Sequence, residues 1–248
     1  KLNNIEKLHG KLQFVSIALP VGRPLLGELD MILAKVRASK TKILLVDKDF
    51  QRILSDWIIL IRLLASRPTH VNELVKQKSI SYEGWVDASY WGVGGVWFSA
   101  EEELEPFVWF VEWNEEIQQK LISEDNPNGT ISFSDLELAG ILFKFLVLED
   151  VLPIGALKHK SVNIWCDNIP AVAWTRKLRT SPSTIAARLL RALAVRLHKT
   201  QSSLIGVDHI PGIYNVMADV ASRQHATNHK SFLIDFTSTF PPPQGNFW

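Results

Sequence analysis

The stretch Gly84-Trp-Val-Asp-Ala-Ser-Tyr90 decides how this chain is read. Trp85 and Val86 are strand residues, Ala88 and Ser89 open a small-residue turn, and Asp87 sits between them. A carboxylate at the end of an apolar strand is costly unless something compensates it. Around it, residues 79–88, 92–99 and 106–113 are short runs rich in Tyr, Trp, Val and Phe, joined by brief polar links. That spacing predicts a three-stranded antiparallel meander. A lone strand ends the same way, since Val162-Asn-Ile-Trp-Cys-Asp-Asn168 runs into Asp167. Neighbouring parallel strands bring their carboxyl ends together, which is where α/β sheets place sites.

Outward from these strands the periodicity turns helical. Residues 135–148 predict one long helix, 169–178 and 183–200 two more, 203–209 a last strand, and Asn215 caps a short helix ending at Arg223. Upstream, Ile5, Leu8, Leu12, Val15 and Leu19 recur at helical spacing, and residues 25–36 and 50–64 repeat the pattern. The expected layout is a small all-α segment over 1–78, an α/β domain over 79–235, and a linker over 236–248 containing Pro241, Pro242 and Pro243.

A chain of 248 residues that is 46% hydrophobic buries a real core, which excludes a disordered or collagen-like protein. Its single cysteine, Cys166, excludes a disulfide framework and a multi-Cys zinc site, and reads as a small buried hydrophobe. The longest apolar run, 53–65, is broken by Asp56 and Arg62 and falls short of the roughly 18–20 residues that span a bilayer. With no charged-then-apolar leader, the expectation is an intracellular piece, cytoplasmic or nuclear, of a longer protein. The 27 basic and 26 acidic residues nearly cancel, but they are unevenly placed. Residues 1–80 hold 14 Lys/Arg against seven Asp/Glu, and 156–201 hold nine bases against Asp167 alone. Residues 101–125 hold nine acids against Lys120. Two basic segments suggest a face for a polyanion, although a solvated helix surface gives the same pattern.

Four acids then stand together as candidates: Asp87, Glu137 near the start of the long helix, Asp167, and Asp219 near the start of the last helix. Each has a bland reading. Ser134-Asp-Leu-Glu137 is a capping-box pattern, Asp219 favours a helix dipole, and Asp167 before Asn168 and Pro170 starts a turn. Taken as a set, four converging carboxylates repel one another unless cations neutralise them. Oxygen ligands favour Mg²⁺, with Mn²⁺ as a substitute, over zinc. Two such ions about 3.5–4 Å apart activate water and stabilise the leaving oxygen of a phosphodiester.

The order Asp, Glu, Asp, Asp on first strand, first long helix, fourth strand and last helix resembles the ribonuclease H domain of retroelement reverse transcriptases, with DIRS-like elements the nearest in pattern. The motifs that carry the resemblance are Gly84-Trp-Val-Asp-Ala-Ser, Gly94-Gly-Val-Trp, Ser134-Asp-Leu-Glu-Leu-Ala-Gly, Trp165-Cys-Asp-Asn, and His209-Ile-Pro-Gly-Ile-Tyr-Asn-Val-Met-Ala-Asp-Val-Ala-Ser-Arg223. It covers about residues 79–225, while residues 1–70 look like the thumb and connection helices of such enzymes. The resemblance implies a ribonuclease H-like fold: a mixed five-stranded sheet, three antiparallel strands then two parallel, with flanking helices. It implies two Mg²⁺ held by Asp87, Glu137, Asp167 and Asp219, with His209 assisting proton transfer or product release. Nucleic-acid contacts are expected from Asn168, Arg176, Lys177, Arg179 and Asn215. The implied substrate is the RNA strand of an RNA–DNA hybrid, and the implied partner is the polymerase palm and fingers of the same polyprotein. The sequence contains no Tyr-x-Asp-Asp tetrad, so polymerisation is not expected of it. The alternative is an inactive domain of the same fold that holds the hybrid.

Overall fold

The computed structural model describes residues 2–40, 43, 46–66, 79–100, 105–179, 183–224 and 228–241. The helices in chain order are α1 (Leu2–Ala18), α2 (Arg23–Ala38), α3 (Lys48–Ser66), α4 (Glu115–Gln119), α5 (Phe133–Val151), α6 (Ile169–Lys177), α7 (Thr184–Thr200), α8 (Val216–Ser222) and α9 (His229–Thr239). The strands are β1 (Tyr82–Ala88), β2 (Gly92–Ser99), β3 (Phe107–Glu112), β4 (Ser161–Cys166) and β5 (Ser203–His209). They belong to two compact units, one of residues 1–76 with 177–199 and one of 77–176 with 200–248.

The helical unit is built on a stripe of apolar residues. Ile5, Leu12, Leu25, Leu29, Leu33, Phe50, Ile53, Trp57 and Leu60 from α1–α3 form one core. Pro24 lies in the first turn of α2, where its missing N–H costs nothing. Helix α7, which the sequence grouped with the α/β domain, contributes Ala194 to this core, and its Arg191 pairs with Asp56 of α3. Buried Glu28 is bound by Arg52 at 2.5 Å. No helix among the described residues is long and apolar enough to cross a membrane.

The second unit is a five-stranded sheet in the order β3-β2-β1-β4-β5. The first three strands pair antiparallel, and β4 joins β1, and β5 joins β4, in parallel. With α5 packed on one face and α8 and α9 on the other, this is the ribonuclease H-like fold expected from the sequence. Gly140 of α5 lets that helix approach Val86 and Val93, where an added Cβ would meet their methyl groups at 3.1 and 2.9 Å. On the opposite face, Gly94 lies against the backbone of Ala221 and Ser222, so α8 touches the sheet directly. Val96, Ala221, Phe232 and Phe236 close that layer. Phe236, the first residue of the stretch read as a linker, is thus part of a helix and of the core, while residues 242–248 lie outside the described residues.

Candidate functional site

The β1–β4 register sets the site. Trp85 pairs with Trp165 and Val86 with Cys166, so Asp87 and Asp167, next along each chain, emerge side by side at the carboxyl ends of parallel strands. Such strands lie about 4.8 Å apart. Asp87 is buried, and its Oδ2 accepts a 2.5 Å hydrogen bond from the Ser222 hydroxyl at the end of α8. Asn215 pins the start of α8 to β1, its Nδ2 donating to the Val86 carbonyl at 3.0 Å.

Glu137 enters from the other face. The helix cap lies two residues earlier than the sequence pattern suggested. Ser132 is the N-cap, its hydroxyl accepting from the Asp135 N–H at 3.2 Å while Asp135 Oδ2 accepts from the Ser132 N–H at 3.0 Å. Glu137 is therefore released from capping, which corrects the Ser134–Glu137 reading. Its Oε1 accepts from the Ala88 N–H at 3.3 Å, and its Oε2 faces the Cys166 thiol at 3.7 Å. Ligand atoms of Glu137, Cys166 and Asp167 all lie within 4.8 Å of one another. Asp167 is half-buried, and a Cβ on Gly212 would sit 3.0 Å from its Oδ2, so the loop after β5 runs directly beside it. Asp219 stands at the rim, its Oδ1 held by Arg223 through Nε at 2.8 Å and a terminal nitrogen at 2.5 Å.

The four acids share one electric field. Burial, before anything else, pushes Asp87 up to about 6; the Ser222 hydrogen bond and Arg223 oppose this, and Asp167 and Asp219 add to it. Burial also raises Glu137 well above the usual carboxylate range, reinforced by Asp87 and Asp167. Asp167 is raised by burial and by Asp219, with His209 pulling the other way. The Cys166 thiol is pushed up by burial and then by Glu137, so it stays protonated. Among the described residues, the basic side chains that act on these acids are His209 on Asp167 and Arg223 on Asp87, both exposed. Deep in the same region, Asn215 Oδ1 is buried with no hydrogen-bond partner. Buried carboxylates repelling one another, together with an orphaned carbonyl oxygen, fit a hard divalent cation.

The expected nucleic-acid residues fare unevenly. Asn168 Oδ1 accepts from the Ala171 N–H at 3.0 Å and so caps α6. Exposed Arg176 bonds the Val207 carbonyl at 2.8 Å and pairs with Asp208. Lys177 is exposed at the end of α6, and Arg179 pairs with Asp30 inside the helical unit. Asn215, expected among the nucleic-acid contacts, is 1% exposed and braces the end of β1. Sequence reasoning passed over Ser222 and Arg223, although both stand in the last motif, and gave Cys166 no place beside Glu137.

No protein-family model and no curated protein matches the chain. Among solved structures, a prototype foamy virus protease–reverse transcriptase is similar over 92% of this chain at 14% identity and a TM-score of 0.29. This chain spans 27% of that one. A likeness that faint carries no argument, and the ribonuclease H-like fold rests on the strand order itself.

Proposed function

We propose that this chain is a divalent-cation-dependent nuclease that cuts the RNA strand of RNA–DNA hybrids, as the ribonuclease H part of a retroelement reverse transcriptase of DIRS-like or related type. The observation that carries this reading is the meeting of Asp87 and Asp167, at adjoining strand ends, with Glu137 of α5, with no buried basic side chain acting on them among the described residues.

Asp87, Glu137, Asp167 and Asp219 would hold Mg²⁺ or Mn²⁺. When bound, the ions supply Lewis acidity and charge neutralisation for phosphodiester hydrolysis. The residues of the chain do the rest. Ser222 fixes the Asp87 carboxylate, and the Ala88 N–H fixes Glu137, so both acids are presented in one orientation. His209, exposed at the end of β5 and acting on Asp167, would assist proton transfer to the departing 3′-oxygen or product release. Exposed Lys177 and neighbouring bases would meet the phosphate backbone, which makes affinity fall with salt. Palm and fingers in the same polyprotein would present the substrate.

The test is cleavage of an end-labelled RNA–DNA hybrid in Mg²⁺ by the full chain and by an Asp167→Asn variant. The reading expects cuts in the RNA strand alone, lost in the variant. Hybrid binding without cutting, even in Mn²⁺, would favour the inactive holding module. Neither cutting nor binding would remove the nuclease reading.

A further inference from the structure

Helix α8, which carries Asp219 and Ser222, is fastened to β1 at both of its ends. At its start the buried Asn215 side chain donates through Nδ2 to the Val86 carbonyl at 3.0 Å. At its end the Ser89 hydroxyl donates to the Ser222 carbonyl at 2.6 Å, and Ser222 in turn reaches Asp87. Val86 and Ser89 flank Asp87 and Ala88, so the two attachments bracket the acid on β1 and the N–H that binds Glu137. Asn215 forgoes an ordinary task to do this. It stands at the N-cap of α8, where an Asn side-chain oxygen normally accepts from an N–H of the first turn. Here it makes no such bond, and Oδ1 is buried without a partner. A side chain that leaves the local cap unmade and a buried oxygen unpaired, in order to reach a strand, serves the placement of the helix rather than its stability.

We infer that Asn215 is a positioning residue of the cation site, setting where Asp219 stands relative to Asp87. This rests on the nuclease reading above and deepens it. The other three acids are held without Asn215: sheet register places Asp87 and Asp167 side by side, and the Ala88 N–H holds Glu137. Asp219 alone rides on a helix of seven residues, too short to keep a shape or a place by itself. Its N–H donates to the Asn215 carbonyl at 3.0 Å, so it lies one helical turn, about 6 Å, from the point of attachment. Residues that orient a metal's ligands without touching the metal typically change its affinity tenfold to a hundredfold.

Calorimetric titration with Mn²⁺ at pH 7, and urea unfolding without metal, are compared for the full-length wild type, Asn215→Ser, Asn215→Ala, Asp219→Asn, Asn215→Ser/Asp219→Asn and Lys144→Ala. Serine is a good N-cap but too short to reach Val86, so Asn215→Ser keeps the helix start and loses the brace. Both Asn215 variants are expected to weaken Mn²⁺ binding about tenfold. Asp219→Asn should leave binding measurable through the other three acids. In that background Asn215→Ser should weaken it by less than about twofold further, with its effect on unfolding unaltered. Lys144→Ala, buried two turns along α5 from Glu137, should lose stability yet bind Mn²⁺ within about twofold of wild type. Wild-type affinity in both Asn215 variants, or failure of both to fold, overturns the inference alone. So does a loss that persists undiminished in the Asp219→Asn background, which would make Asn215 Oδ1 a direct partner of the cation. A wild type that binds no Mn²⁺ overturns the nuclease reading and this inference with it.

Discussion

Glu137 and Lys144 lie two turns apart on α5, both buried, and the helix handles the two charges in opposite ways. Lys144 is completely enclosed. Its ammonium nitrogen donates to the Val96 carbonyl and sits 4.1 Å from the centre of the Trp97 ring, against a Gly84 that leaves room for it. Burial alone pushes its pKa well down, and no ion pair joins it among the described residues. For a lone buried base, burial is the whole of the cost, and it eases release of the proton. Glu137 has no such exit, because Asp87 and Asp167 act on it and all three are raised together. Burial by itself therefore does not mark a functional site. What marks it is a buried charge whose neighbours carry the same sign.

Neutralising one member of each region separates the two behaviours most clearly. Asp87→Asn should lower cleavage at least about a hundredfold, the scale seen when one electrostatic contact to a reacting centre is removed. The same change should leave the metal-free protein as stable as wild type, or more so, at pH 7 by urea unfolding. Lys144→Met should do neither, while Lys144→Ala should cost about 2–5 kcal/mol of stability through the cavity it opens, with cleavage intact.

Acid and base should also titrate stability in opposite directions. Asp87 is raised in the folded protein from 3.8 to about 6, so the folded state holds that proton more tightly than the unfolded one. The penalty for ionising it is absent below pH 4 and grows to about 3 kcal/mol above pH 6. Metal-free stability should thus fall as pH rises through that window, and added Mg²⁺ should restore it at pH 7 far more than at pH 5. For Lys144 the folded pKa is lowered, so the unfolded state binds more protons and stability rises with pH toward about 10.4. Lys144→Met should flatten that alkaline limb only.

The smallest effect is expected from Ser222→Ala. Loss of the hydroxyl that donates to Asp87 should cost about 1.5 kcal/mol of stability at pH 7 by urea unfolding and push Asp87 of the metal-free protein further up from about 6.

Much of this frame is written locally in the chain. The alternation into Asp87 and Asp167 is readable because each acid ends its own strand, and parallel pairing then makes them neighbours. The start of α5 is harder, since Ser132 and Ser134 both precede an acid by three residues, and only the folded helix shows that Asp135 takes the cap and frees Glu137. Helix α9 hides behind the proline run, although Phe232, Phe236 and Phe240 recur at helical spacing. Ser222 bonds an acid 135 residues away, and Lys144 finds its acceptor 48 residues away; neither contact leaves a local signature.

A functional acid cluster of this kind must take a divalent ion. Calorimetric titration of the full chain with Mn²⁺, at pH 7 and pH 5 and again with Asp87→Asn, addresses that without requiring turnover. Saturable binding is expected at pH 7, weakening markedly at pH 5, where Asp87 holds its proton, and weakening at both pH values in the variant. Binding indifferent to pH and to Asp87, or no binding at millimolar Mn²⁺, would contradict it.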